Sequence, residues 1–279
     1  MGRQKRGGSG RTMANPRWQG IGWFFEPPEP ISILELVNFG SLDVTLAGIL
    51  MLMMEHKASV VVASGPSNAG KSTMLGALID LLPPETEQIQ LWSQVDDSRL
   101  LAETVPPNLY MVATEISSHG FYLWGHEAWK AFDILSRGCP LSGTMHAQTV
   151  RDVVDMLHQY LGLPLDLVAN LDAVVTIRAT QEWGEEPVRR VETVGLLAAE
   201  EEGLSIRIIS SRSLDNGDLN FTDGREMQAA LSKKFGIPEN IIGQEIQLRE
   251  QFLTNLMKED RVSPEQVKEA VAEFYRSRP

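Results

Sequence analysis

The ten residues Ser64–Thr73, SGPSNAGKST, decide how the rest of this 279-residue chain is read. Gly65, four intervening residues and then Gly70-Lys71-Ser72 make the spacing of a P-loop. Just before it, Val60–Ser64 is a short apolar run with β-branched residues, and just after it Lys71–Leu81 has a helical pattern, so the context is strand, glycine-bearing turn, helix. Glycines let the backbone wrap closely around phosphates so that several amides point inward at the start of a helix. On this reading Gly65, Pro66, Ser67, Asn68, Ala69, Gly70, Lys71, Ser72 and Thr73 cradle a nucleotide. Lys71 reaches the β- and γ-phosphates, and Ser72 offers its hydroxyl to Mg²⁺. The alternative is a chance glycine-rich turn before a helix.

Outward from the loop, short apolar runs recur at 89–92, 109–114, 141–144 and 173–177, with helical patterns between several of them. Val150, Val153, Val154, Leu157 and Leu161 show the helical spacing clearly. Strands alternating with helices predict an α/β domain with a mainly parallel sheet covered on both faces. Before the P-loop, Ser32-Ile33-Leu34-Glu35 fits a capping box and Gly40 is placed to end that helix; a second helix is expected from about Asp43 to Lys57. After Thr180 the pattern changes to two strands, 188–197 and 204–210, around the turn EEEG. Three helices follow, near 224–235, 239–258 and 264–276, the last opening on Ser263-Pro264-Glu265-Gln266. The expected organisation is a disordered basic tail and proline-rich linker over 1–30, an ATPase-like domain over 31–212 and a helical C-terminal region over 213–279.

Bulk composition narrows the function classes. A net charge of −12 argues against nucleic-acid binding, which needs a basic face. The most apolar window, Leu46–Met54, is far shorter than the roughly 20 residues that span a bilayer, so any membrane contact is expected through a docked partner. One cysteine, Cys139, cannot form an internal disulfide and fits a reducing, cytoplasmic setting as a small buried residue.

Two further residues are candidates for chemistry. Glu115 ends the run LYMVATE, where a P-loop enzyme needs an acid to hold the Mg²⁺ shell or polarise water; the competing reading is a solvated carboxylate capping the next segment. His146, in LSGTMHA, either senses the γ-phosphate and positions water or is a satisfied structural histidine. Several P-loop classes fit poorly. There is no LSGGQ signature of transporter ATPases, only a partial Leu135-Ser136-Arg137-Gly138. There is no Asn-Lys-x-Asp of GTPases, and Arg99 is the sole arginine between Lys71 and Glu115, against the arginine-rich lid of small-molecule kinases.

Taken in order, ISILELVNFGSLD (31–43), GPSNAGKST (65–73), the strand before Glu115, GHEAWKAFDILSRGCPLSGTMHAQT (125–149), REMQAALSKKFG (225–236) and SPEQVKEAVAEFYRSRP (263–279) resemble the type II and type IV secretion ATPase superfamily. The closing part looks like its archaeal-type branch of archaellum and pilus-assembly motors. The resemblance covers roughly 31–279. It implies a RecA-like fold, ATP and Mg²⁺ as ligands, Glu115 in the Walker B position with Ser72 at the metal, and His146 in the His box. It also implies a ring-like homo-oligomer, hexameric in the family, or pairing with a paralogous ATPase, and a membrane platform protein of a secretion or pilus machine as partner at the inner face of the membrane.

The sequence departs from that pattern in four places. The family's N-terminal domain is expected to be missing or supplied by another chain. Where its acidic Asp box lies, this chain has Ser93 and Gln94, and Asp96 and Asp97 could substitute only if the loop doubles back. The arginine-bearing stretch before Walker B is shortened to RLLAETVPP. The arginine after the Walker B glutamate is replaced by Ile116-Ser117, and an extra SSHGFYLW segment precedes Gly125, its aromatics read as core packing or as a docking surface. The losses fall on parts that accelerate hydrolysis, so two functions remain open: an ATPase, and a nucleotide-binding regulatory protein with weak or no turnover.

Overall fold

The computed structural model describes residues 29–180, 187–201, 203–213, 215 and 217–278. Apart from Glu29 and Pro30, the expected tail and linker lie outside them. An eight-stranded sheet forms the centre, in the order β2-β3-β4-β1-β5-β6-β7-β8. Its parallel part is β1 (Val60–Ala63), β2 (Glu87–Leu91), β3 (Leu109–Ala113), β4 (Leu141–Met145) and β5 (Ala173–Thr180). The antiparallel part is β6 (Val188–Glu200), β7 (Gly203–Arg212) and β8 (Leu219–Phe221). The two strands expected after residue 180 are thus longer than their apolar runs and extend the same sheet, because β6 pairs along the whole of β5 from Leu196 opposite Ala173 to Val188 opposite Thr180.

Alternation along β1 divides the interior in two. Val60 and Val62 face one core with α1 (Ile33–Asn38), α2 (Val44–Glu55) and α3 (Lys71–Ile79). Val61 and Ala63 face the other with α4 (Gly125–Ser136), α5 (Val150–Asp155) and α6 (Leu165–Val168). The helical run expected from Val150 is not uniform: residues Met156–Tyr160 widen into a π-turn, with the Leu161 amide bonded back to the Met156 carbonyl at 3.0 Å. The widened turn keeps Leu157 and Leu161 on the buried side.

The remaining helices, α7 (Gly224–Phe235), α8 (Glu239–Lys258) and α9 (Pro264–Arg276), pack into the first core beside α2. Gly48 permits this: a Cβ there would stand 3.1 Å from the Glu250 amide, so the α2 and α8 backbones meet where any side chain would part them. At the edge of that contact Arg249, 1% exposed, bonds Glu55 and Glu245, while Arg278 also bonds Glu245. Both arginines lie over the Phe274 ring, at 5.7 and 5.2 Å. Capping boxes at Ser32/Glu35 and Ser263/Gln266 stand where the sequence placed them. No helix among the described residues is long and apolar enough to cross a membrane.

Candidate functional site

Parallel strands with crossover helices leave a crevice at their carboxyl ends, and ligands bind there in open α/β sheets. The P-loop leaves the carboxyl end of β1, between β4 and β5 in the sheet, and opens into α3. Its curvature comes from Asn68 at φ 59° and Gly70 at φ 90°, left-handed conformations that glycine adopts freely and asparagine tolerates. Gly70 caps α3 without any side-chain hydrogen bond, so the first-turn amides of that nine-residue helix are left for a ligand. At Gly65 a Cβ would come within 2.7 Å of the Gln148 side chain, which lies against the mouth of the loop.

A cleft of about 1080 Å³ opens over this loop, large enough for a nucleotide. Residues 67–73 form its floor, and Lys71, Glu115 and His146 all face it. Lys71 Nζ is 3.4 Å from both ring nitrogens of His146, and His146 Nε2 is 3.5 Å from Glu115 Oε2. His146 Nδ1 also lies 3.2 Å from the Gly65 carbonyl, so the ring sits between the lysine, the Glu115 carboxylate and the loop backbone. Burial lowers the Lys71 pKa and the Glu115 carboxylate partly opposes that shift. A buried ammonium of this kind is paired only in part until an anion arrives. Glu115 is held by its backbone: its carbonyl accepts from Leu123 at 3.1 Å, and Thr144 Oγ1 donates to the Thr114 carbonyl at 2.7 Å, tying the ends of β3 and β4 together.

Of the candidates drawn from the sequence, Ser67 to Thr73, Glu115 and His146 share one cleft, whereas Gly65, Pro66, Asp96 and Asp97 do not line it; Gly65 meets the site through its carbonyl beside His146. The loop carrying Asp96 and Asp97 does not double back. The Val95 amide donates to Glu127 of α4 at 2.8 Å, and Arg99 holds Asp97 by hydrogen bonds that keep its carboxyl below the usual range. Arg99 also bonds Glu87 at 2.7 Å, so it too is committed away from the P-loop. Trp92 stands on the cleft wall in that region instead. In the inserted segment the aromatics divide: Tyr122 lines the cleft, Trp124 packs partly buried against the second core and Phe121 is 90% exposed; Leu123 is buried. Cys139 is 2% exposed, and burial pushes its thiol up to about 11.

Sequence reasoning missed the wall opposite Glu115. Arg189 and Arg190 of β6 line the cleft, as does Phe39 at the end of α1. Arg189 Nε donates to the Asn68 carbonyl at 3.1 Å, across 121 residues of sequence. The only signal for it was a pair of arginines at the start of a strand. Among the described residues no group of three or more His, Cys, Asp or Glu could hold a metal by itself. Ser72 and Glu115 nonetheless suit Mg²⁺, which takes one or two carboxylates and completes its shell with water and substrate phosphates.

No family model matches the chain. It is 25% identical over 282 residues to the uncharacterized protein MJ0900 of Methanocaldococcus jannaschii, an alignment covering 88% of this chain; the chain spans 49% of that protein's length. Among solved structures it is similar to the VirB11 ATPase of the Brucella suis type IV secretion system (TM-score 0.40, 18% identity, 58% of this chain and 54% of that one). It is also similar to the ATPase DotB of Yersinia pseudotuberculosis (TM-score 0.42, 14% identity, 88% and 63%) and of Legionella pneumophila (TM-score 0.42, 13% identity, 87% and 65%). The chain's own topology, the parallel order β2-β3-β4-β1-β5 with the P-loop leaving β1 and opening into α3, is that of the RecA-like P-loop fold expected from the sequence.

Proposed function

We propose that the chain binds Mg-ATP at residues 65–73 and hydrolyses it to ADP and phosphate. The observation that carries this is the convergence of Lys71, Glu115 and His146 on one cleft whose floor is the P-loop. Water attacks the γ-phosphorus, the bond to the β–γ bridging oxygen breaks with its electron pair left on ADP, and the proton of the attacking water leaves to solvent or phosphate. Lys71 stabilises charge on the β- and γ-oxygens. Ser72 and Glu115 would hold Mg²⁺, which would supply further neutralisation of the phosphate charge when bound. His146, oriented by the Gly65 carbonyl and touching Lys71, distinguishes a filled from an empty γ-phosphate position. Catalysis of this kind is mostly positioning and electrostatics, which a rigid strand-end constellation supplies.

On the sequence resemblance to secretion and pilus motors, turnover would power or regulate a membrane-associated assembly machine from its cytoplasmic side, with a ring of identical chains or a paralogous ATPase completing each site. A second reading, nucleotide binding with little turnover, is favoured by one observation: Trp92 lines the cleft while Asp96 and Asp97 do not, so among the described residues no second acid lines the cleft to activate water. Nucleotide binding and phosphate release, measured with Lys71→Ala and Glu115→Gln at several protein concentrations, separate the two. Turnover lost in both variants supports the ATPase. Saturable binding with no turnover above the Lys71→Ala background leaves the binder, and no binding at all refutes both.

A further inference from the structure

We propose that Arg189 is a phosphate-contacting residue supplied by the same chain as the P-loop, reaching the β–γ end of a bound nucleoside triphosphate. This rests on the nucleotide reading above. Arg189 lies on the wall of the cleft that contains Lys71. Its Nε donates to the Asn68 carbonyl at 3.1 Å, and its Cδ lies 3.0 Å from where a Cβ on Gly70 would stand, so the side chain runs along the outer edge of the phosphate loop. A guanidinium carries five donors in a planar fork. The bonds to Asn68 and, at 3.4 Å, to the Pro187 carbonyl engage two of them, and the fork geometry matches phosphate oxygens.

Two independent observations point the same way. The first is placement. Ser41 Oγ donates to the Arg189 carbonyl at 2.8 Å, and the Ser41 carbonyl accepts from Val191 at 2.8 Å and from Arg212 at 3.0 Å. The start of β6 is thus fastened to the turn between α1 and α2, which holds Arg189 at the loop before any ligand arrives. The second is charge. In a chain of net charge −12, Arg99, Arg178 and Arg249 each pair with carboxylates, whereas among the described residues neither Arg189 nor Arg190 forms a salt bridge. A cation with no carboxylate partner among the described residues, on the cleft wall beside the phosphate loop, complements a polyphosphate. In hydrolysis, negative charge grows on the β–γ bridging oxygen as its bond to the γ-phosphorus breaks, and an arginine beside it strengthens its hold at that moment. The arginines absent from the stretch around Glu115 are, on this proposal, replaced by one brought in from the start of β6.

The test is calorimetric titration of the full chain with Mg-ATPγS and with Mg-ADP, for the unaltered protein, Arg189→Gln and Arg189→Lys, with thermal unfolding of each ligand-free protein. Loss of a charged contact to the terminal phosphates is expected to weaken ATPγS by roughly tenfold or more, with a clearly smaller effect on ADP. Arg189→Lys should fall between, because it keeps the charge and loses the fork. The ligand-free melting temperatures should agree, since the side chain is at the surface. Equal weakening of both nucleotides would overturn the proposal and leave Arg189 as a clamp on Asn68. Unchanged affinities in Arg189→Gln would overturn it outright while leaving the nucleotide reading intact. An unaltered chain that binds neither nucleotide would sink both.

Discussion

Arg249→Met asks how firmly the C-terminal helices are locked to the body of the protein. Methionine keeps much of the arginine's length and its packing against Phe274, so the perturbation is largely electrical. The change removes the bonds from Arg249 to Glu55 and Glu245. Stripping one partner from a fully buried ion pair costs about 3–5 kcal/mol. Both carboxylates here keep about a fifth of their side-chain surface in water, and Glu245 retains Arg278, which lowers the expected cost to about 2–4 kcal/mol. At about 2–4 °C per kcal/mol for large domains, the melting temperature should fall by roughly 4–16 °C in differential scanning calorimetry. Glu55→Leu combined with Arg249→Met should recover a good part of the loss, because it removes the stranded charge as well. A shift below about 2 °C in the single variant would refute the reasoning, since it would mean that the cluster is hydrated rather than a lock.

Other outcomes follow from the same geometry. Lys71→Ala should abolish measurable Mg-ATP binding by calorimetry while leaving the fold intact by circular dichroism; retained affinity would contradict the P-loop assignment. Gly70→Ala should destabilise the apo protein by about 1–2 kcal/mol in urea titration, because alanine is strained at φ 90° and its Cβ would meet Arg189 at 3.0 Å. Stability should decline on acidification from about pH 6.5. Partial desolvation of the ring at the end of α2 lowers the His56 pKa, so the unfolded chain binds that proton first; stability is full above the unfolded value and falls as pH drops toward the folded one. The Glu245 carboxylate adds a further loss at lower pH: burial works against its charge, but Arg249 and Arg278 hold its pKa below normal, and that stability disappears as pH falls through the folded value. A flat chemical-denaturation profile between pH 7 and 5 would contradict the histidine part. Cys139 should resist alkylating reagents at neutral pH in the folded protein and react on unfolding, as followed by mass spectrometry.

What was legible in the sequence was written locally. Ser32 and Glu35, Ser263 and Gln266, and the glycines of the P-loop each act within a few residues, and the capping boxes and the strand-loop-helix they predict are present. The α/β class followed from alternating periods for the same reason. Arg189 was not legible, because its place beside Asn68 depends on β6 pairing with β5 and on Ser41 fastening its start. The fate of Asp96 and Asp97 was equally non-local, decided by Glu127 on α4 and by the hold of Arg99. The π-turn after Asp155 left no trace in an otherwise regular helical pattern.

The packing of α2 against α8 also sets the order in which the molecule can be assembled. Glu55 and Arg249 are 194 residues apart, and Leu46–Met54 is a run of nine consecutive buried residues with no polar side chain. At about 5–20 residues per second, roughly 10–40 s of synthesis separate the emergence of that run from the emergence of its cover. The nascent chain thus carries a fully apolar helix in search of a partner over that interval. Contacts of such long sequence separation also close slowly in refolding. The segment most buried in the finished protein is therefore the one most exposed to aggregation, and to chaperone capture, while the protein is being made.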